Sequence, residues 1–231
     1  SHQSLKQRTF QALFLFTAQV LVNLTSPHLF NTFTPGVLSL MALLTLLLPF
    51  LAHQFRESGI HLMVVLIAFI FTIQFFFPEV QGAGGWGERV NDDSVSIVVS
   101  NLLFTGTYPL FPWILFAVLG GVISTQPHGL GATLPLTILT KSTIGLGLLF
   151  CLSSFLLSQI NGRLWAHPTA DAALTFFPAN SGFLIAGITG VLLIWMFIQQ
   201  YELHYLNNTG KISLTIYLIH FIPLSLMHDF D

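Results

Sequence analysis

An all-α fold, a polytopic bundle of about seven transmembrane helices with one short interfacial helix, is what this sequence predicts. Three observations predict it. Only 7% of the residues are charged, against about 25% in an ordinary soluble domain. Hydrophobic residues make up 53% of the chain. Apolar stretches recur at the length that a hydrocarbon core of roughly 30 Å demands of a helix, about 20 residues. The whole chain, 231 residues, reads as a single integral membrane domain.

The first span is expected from Thr9 to Leu24, after a polar N-terminal segment carrying Lys6 and Arg8. That segment resembles the start of a signal peptide, but no small-residue cleavage site follows the apolar run, so a loop entering a helix is the expectation. The second span, Gly36 to His53, tolerates Pro49 near its end. A turn through Arg56, Glu57, Ser58 and Gly59 leads to the third, His61 to Phe77, which Pro78 stops. The loop from Glu79 to Asp93 is the most polar part of the chain, with four glycines around Trp86. Ser94 to Phe104 is apolar but too short to span, and is expected as an interfacial or re-entrant helix capped by Asp93 or Ser94.

The fourth span runs from Pro109 to Thr125, and a loop through Pro127, His128 and Gly129 follows. Lys141 interrupts the next hydrophobic stretch. A lysine at the bilayer centre costs about 2.5–3.5 kcal/mol, so Leu130 to Thr140 is placed along the surface and the fifth span from Ser142 to Ile160. The sixth span is Gly182 to Gln200 and the seventh Ile212 to Met227. Gly182, Ala186 and Gly190 lie four apart, the spacing that lets a neighbouring helix approach closely.

Loop charges orient the bundle. Lys6, Arg8, Arg56, Lys141 and Lys211 collect on one side; Arg89, Arg163, the acidic loop and the Asp229/Asp231 tail collect on the other. The positive-inside bias then puts the N-terminus in the cytoplasm and the C-terminus outside, in a plasma or internal membrane of bacterial type. The lipid bilayer is the first expected partner, and nucleic acid is excluded: the net charge is −2 and no basic run is long enough to follow a phosphate backbone.

The composition also narrows the chemistry. Cys151 is the single cysteine, which rules out a disulfide or a dithiol within one chain and reads as a core residue. No predicted span contains Asp or Glu, which argues against a proton- or sodium-coupled carrier. No phosphate-cradling Gly-Lys-Ser/Thr and no HExxH motif occurs. Among nine histidines, His53, His61, His204 and His228 fall near span ends, where an imidazole reaches water. His28, His128 and His167 lie in Pro-containing loops, and no helix carries a pair spaced for haem or a chlorin. His220 differs. It falls within the last span, one turn after Tyr217, where a polar side chain is a functional candidate; a hydrogen bond to a neighbouring helix is the competing explanation. Asn23-Leu24-Thr25 and Asn207-Asn208-Thr209 match the glycosylation pattern.

Four segments carry a resemblance. Thr107-Tyr108-Pro109-Leu110-Phe111-Pro112-Trp113, running on to Gly121, is similar to a helix opening in the heparan-α-glucosaminide N-acetyltransferase-like proteins, part of a wider membrane acyltransferase superfamily. Gly36-Val37-Leu38 resembles the start of an earlier helix there. Gly210-Lys211-Ile212-Ser213-Leu214-Thr215-Ile216-Tyr217-Leu218-Ile219-His220 resembles the start of a late one, and Phe177-Pro178-Ala179-Asn180-Ser181 the step before the penultimate span. Order and spacing agree over most of the chain.

The resemblance implies transfer of an acyl group, often acetyl from acetyl-CoA as co-substrate, to a sugar-type or other acceptor, with no covalently bound cofactor. It implies that Tyr108, Trp113, Asn180, Tyr217 and His220 line the acceptor or acyl pocket. The family's opening helices, with its early catalytic histidine, have no counterpart here, so the catalytic residues are not assigned and that role is not carried over to His220. Two expectations stand side by side: an acyltransferase or its C-terminal part, and a non-catalytic accessory subunit holding lipid, pigment or protein neighbours in a larger membrane complex.

Overall fold

The computed structural model describes residues 4–82, 85–124, 134, 136–169, 171–201, 212–221 and 223. The chain is mostly helical. In order come α1 (Leu5–Thr25), α2 (Val37–Phe76), a 3-10 turn (Pro78–Gln81), α3 (Trp86–Val90), α4 (Val95–Ser100), a π-helix (Asn101–Thr105), α5 (Leu110–Ser124), α6 (Ile138–Ile160), strands β1 (Leu164–His167) and β2 (Ala172–Thr175), α7 (Ser181–Ile198) and α8 (Ser213–Ile219). They fall into two compact units. One comprises Ser1–Leu51, Gly84–Trp113 and Leu203–Asp231; the other comprises Ala52–Ala83 and Ile114–Glu202.

Among the described residues three helices are long and apolar enough to cross a membrane: Glu57–Phe76, Ile138–Ile160 and Ser181–Ile198. Val95–Thr105 and Leu110–Ile123 make a fourth if the two count as one broken span. The expected seven are not reproduced, for identifiable reasons. Thr9 to Leu24 is helical within α1, but Gln11, Gln19 and Asn23 dilute its hydropathy. The apolar helix over the second expected span, Val37–Leu47, is short. Of the last span only α8 and its immediate continuation are described. The loop through Pro127, His128 and Gly129, Leu130 to Thr133, Pro135, Gly84, His204, Asn207 to Lys211, Leu224 to Met227, His228 and the acidic tail lie outside the described residues, as do the side chains of His53 and Arg56.

Helix boundaries follow capping chemistry. Ser4 and Gln7 form a reciprocal capping box at the start of α1, Ser4 Oγ accepting from the Gln7 amide and Gln7 Oε1 from the Ser4 amide. Ser94 caps α4, accepting from the Ile97 amide. The turn expected at Arg56–Gly59 is a break at Ser58 (φ −146°, ψ 29°) inside α2, which runs through Pro49 without ending. α6 starts earlier than expected because Thr137 caps it, accepting from the Thr140 amide. Lys141 therefore lies in the opening turns of that helix, with its side chain exposed.

The all-α expectation needs one correction. β1 and β2 pair in parallel, Leu164 opposite Ala172 and His167 opposite Thr175. Parallel neighbours ordinarily need a long crossover. These strands are short, so a strand of about 10 Å can be retraced by five Cα steps reaching at most about 17 Å. An Arg163–Asp171 ion pair and the bond from the Phe177 amide to Pro168 O (2.8 Å) hold the return.

Each unit has its own core. In the first, Ala18, Val22, Leu38 and Phe221 are buried together, with Leu15, Phe30, Leu214, Tyr217 and Leu218 packed on them. In the second, Leu119, Ile123, Leu134, Ile144 and Leu192 form the core, flanked by Met63, Ile188 and Trp195. Helices α6 and α7 touch at Gly147, where a Cβ would fall 1.9 Å from Thr189 Oγ1. The small-residue ladder expected to do this does something else: a Cβ at Gly182 would meet the Ala173 carbonyl of β2 at 2.7 Å, and one at Gly190 would meet nothing within 4 Å. Cys151 is only half-buried on α6.

Candidate functional site

The first unit is built around a polar clamp. Asn23 is 1% exposed; its Nδ2 donates to Thr32 O (3.0 Å) and Thr34 O (2.9 Å), and its Oδ1 accepts from Gln19 Nε2 (2.9 Å). Gln19 Oε1 in turn accepts from the Leu38 amide at 3.1 Å. One face of α1 thus fixes both the loop that follows it and the start of α2. The same loop is bonded from four further points: Trp86 Nε1 to Leu29 O (2.9 Å), the Phe33 amide to Asp92 Oδ2 (2.8 Å), Thr34 Oγ1 to Val90 O (2.5 Å) and Thr107 Oγ1 to Pro35 O (2.9 Å). Burial at Asn23 removes Asn23-Leu24-Thr25 as an accessible glycosylation site.

Arg89 does comparable work from α3. It is buried, and its guanidinium donates to Thr105 O at 2.9 Å and Gly106 O at 3.4 Å, carbonyls at the end of the π-helix, whose backbone does not close on itself there. Desolvation holds its pKa below the ordinary arginine value, while the neighbouring Glu88 carboxylate pulls it back up. Replacing Arg89 with Met keeps the bulk and removes the donors. A loss of about 2 kcal/mol is expected, read as a lower thermal midpoint in detergent.

On this scaffold sits an aromatic cluster. Tyr217, His220 and Phe221 lie at successive i, i+3 and i+4 positions; ring centroids are 5.2 Å apart for Tyr217–His220, 5.3 Å for Tyr217–Phe221 and 4.2 Å for His220–Phe221. Phe30 continues the wall against Phe221 (6.4 Å) and Trp86 (5.9 Å). Tyr108 packs on Trp113 at 5.4 Å, and it belongs to the same compact unit as Tyr217, although the two are 109 residues apart in sequence (217 − 108).

Of the five residues singled out from sequence, Tyr108, Trp113, Tyr217 and His220 therefore belong to one unit. Asn180 belongs to the other, where both ends of its amide are engaged: Oδ1 caps α7 by accepting from the Phe183 amide (2.8 Å), and Nδ2 donates to Ala173 O (3.0 Å). It is a helix cap. Beside it Gln74 donates to Ala179 O at 2.7 Å and accepts from Ser181 Oγ.

His220 has the most chemistry to offer. Its Nδ1 bonds the carbonyl oxygen of Tyr217. A carbonyl only accepts, so Nδ1 carries the proton, and in the neutral ring Nε2 holds the lone pair. The side chain is exposed at the end of α8. Phe30, Trp86 and Phe221 were not singled out from sequence; only the spacing of Phe221 after Tyr217 signalled it. No group of three or more His, Cys, Asp or Glu capable of holding a metal occurs among the described residues. No protein-family model matches the chain, and no curated protein and no solved structure was found to be similar to it.

Proposed function

We propose that the chain is an integral membrane protein whose first unit binds an acyl group or its acceptor against Tyr108, Trp113, Tyr217 and His220, and that it transfers an acetyl or related acyl group from a CoA thioester to a sugar-type hydroxyl or amine. The membrane part rests on outward-facing apolar surface. On α6 alone Ile138, Leu139, Leu146, Leu149, Leu152 and Ile160 are each more than half exposed, far more than water tolerates on a soluble monomer. The orientation with the N-terminus in the cytoplasm follows from the loop charges.

The observation that carries the transfer reading is the gathering of the two tyrosines and His220 in one unit, with the Nε2 lone pair on an exposed ring. Such a nitrogen can accept the proton of an acceptor hydroxyl as that oxygen attacks the thioester carbonyl, CoA leaving as the thiol. The aromatic faces suit a sugar ring or an acyl chain.

The test is CoA release from acetyl-CoA by the full chain in detergent, with and without glucosamine-type acceptors. Wild-type turnover falling at least about 100-fold in His220→Ala, with the melting midpoint unchanged, supports the reading. Absence of turnover in the wild type favours the accessory subunit instead. One observation favours that second reading: among the described residues no carboxylate bonds His220 or Tyr217 to complete a dyad. Co-purification with a stoichiometric membrane partner is its positive sign.

A further inference from the structure

Along the first turns of α1 lies an open groove of about 430 Å³, walled by Phe10, Gln11, Phe14 and Leu15 of α1, Thr45 of α2 and Leu214 of α8. It adjoins a second hollow of about 380 Å³ that shares Phe10 and Gln11 and is bordered by Lys6 and Gln7. The two together are amphiphilic. The Thr45 hydroxyl is turned back onto Met41 O at 2.8 Å, so the α2 wall presents carbon. The other end carries Lys6, with Arg8 close in sequence and no acid in the first turn of the helix. The positive end of the α1 dipole adds to the same field. From Lys6 to Leu15 is nine residues of helix, roughly 14 Å, the reach of a substantial part of an acyl chain.

We propose that this groove seats one anionic phospholipid, an acyl chain lying against Phe10, Phe14, Leu15 and Leu214 and the phosphate on Lys6. Gln11, between the two hollows, stands at the level of the ester carbonyls and can donate to one. Charge complementarity selects this occupant over a zwitterionic lipid, because a basic side chain at the surface adds about fivefold to the binding of an anionic lipid. The inference rests on the membrane part of the reading above and is independent of acyl transfer.

The experiment is native mass spectrometry of the full chain in detergent, titrated with phosphatidylglycerol and phosphatidylcholine of identical acyl chains. Retention of one phosphatidylglycerol about fivefold better than phosphatidylcholine is expected. In Lys6→Gln the preference should fall to within twofold while some lipid is still retained, and in Thr45→Trp, which fills the groove, retention of both should drop. Equal retention by the wild type, or an unchanged preference in Lys6→Gln, overturns the proposal. Equal occupancy of Lys6 by inorganic phosphate alone also overturns it, because the acyl chain would then contribute nothing. Should Thr45→Trp fail to fold, Lys6→Gln still decides, since it changes an exposed side chain and leaves the capping box intact. Equal retention of the two lipids by a wild-type protein that keeps its helix content and membrane insertion would remove the groove and leave the membrane assignment standing.

Discussion

Gly147→Val is expected to separate α6 from α7. The β-carbon of any other residue here would sit 1.9 Å from Thr189 Oγ1 and 3.0 Å from both Thr189 Cβ and Cγ2. The threonine cannot turn away without loss: it is buried, and its hydroxyl donates to Ile185 O at 2.7 Å. Relief must come from moving one helix. Overpacking of this kind costs about 1–3 kcal/mol, occasionally more, and between apolar helices close packing is the main source of association. The valine variant should therefore show the largest fall in thermal midpoint of any single change in the second unit. Gly147→Ala should show a smaller one, and Gly147→Ala with Thr189→Gly should recover much of it. A double-mutant cycle in detergent measures that coupling. Additive losses would mean that the two side chains do not meet.

The same contact shows what the sequence carried and what it withheld. Small residues four apart on α7 marked Gly182, Ala186 and Gly190 as the packing face, yet the approach is made by Gly147 of α6 against Thr189. A threonine whose hydroxyl bonds its own helix presents a compact surface, and a search for Gly and Ala passes over it. Helix existence was legible from apolar content, and the Ser94 cap and the break within Arg56–Gly59 from local chemistry. The β1–β2 pair was not, because four-residue strands carry too little periodicity to separate from loop. Among the described residues three helices, or four with the broken pair, meet the length and hydropathy of a span; α1 falls short because Gln19 and Asn23, needed for internal bonding, lower the very hydropathy by which a span is recognised. For the site, the Tyr217/His220 spacing was legible on one helix. That Tyr108 falls in the same unit was not legible, because the loop between is fixed by bonds involving Asn23, Thr34, Trp86 and Thr107, and no periodic signal reports those. Asn180 was singled out through the resemblance of its segment, and its side chain is engaged as a helix cap.

Asn23→Ala is expected to cost about 2–4 kcal/mol and to loosen the aromatic cluster as it does so. The wild-type amide satisfies Thr32 O and Thr34 O and receives the Gln19 amide. Alanine leaves the Thr34 carbonyl and Gln19 Nε2 without that partner in a buried setting, at about 1–3 kcal/mol for each group left unsatisfied. The effect should spread, because Gln19 also holds the Leu38 amide and lies where a Cβ on Gly36 would be 2.6 Å from its amide nitrogen and oxygen. Asn23→Asp is the sharper comparison. It is nearly the same size but replaces the donor with an oxygen facing two carbonyl oxygens, so at neutral pH it should destabilise more than alanine does. Both variants should increase hydrogen exchange at Leu29, Phe30 and Leu38, and the tryptophan emission of Trp86, bonded to Leu29 O, should shift to the red. An aspartate variant as stable as the wild type would mean that water, not the two carbonyls, faces this side chain, and that the loop is held by Thr34, Trp86, Asp92 and Thr107 without it.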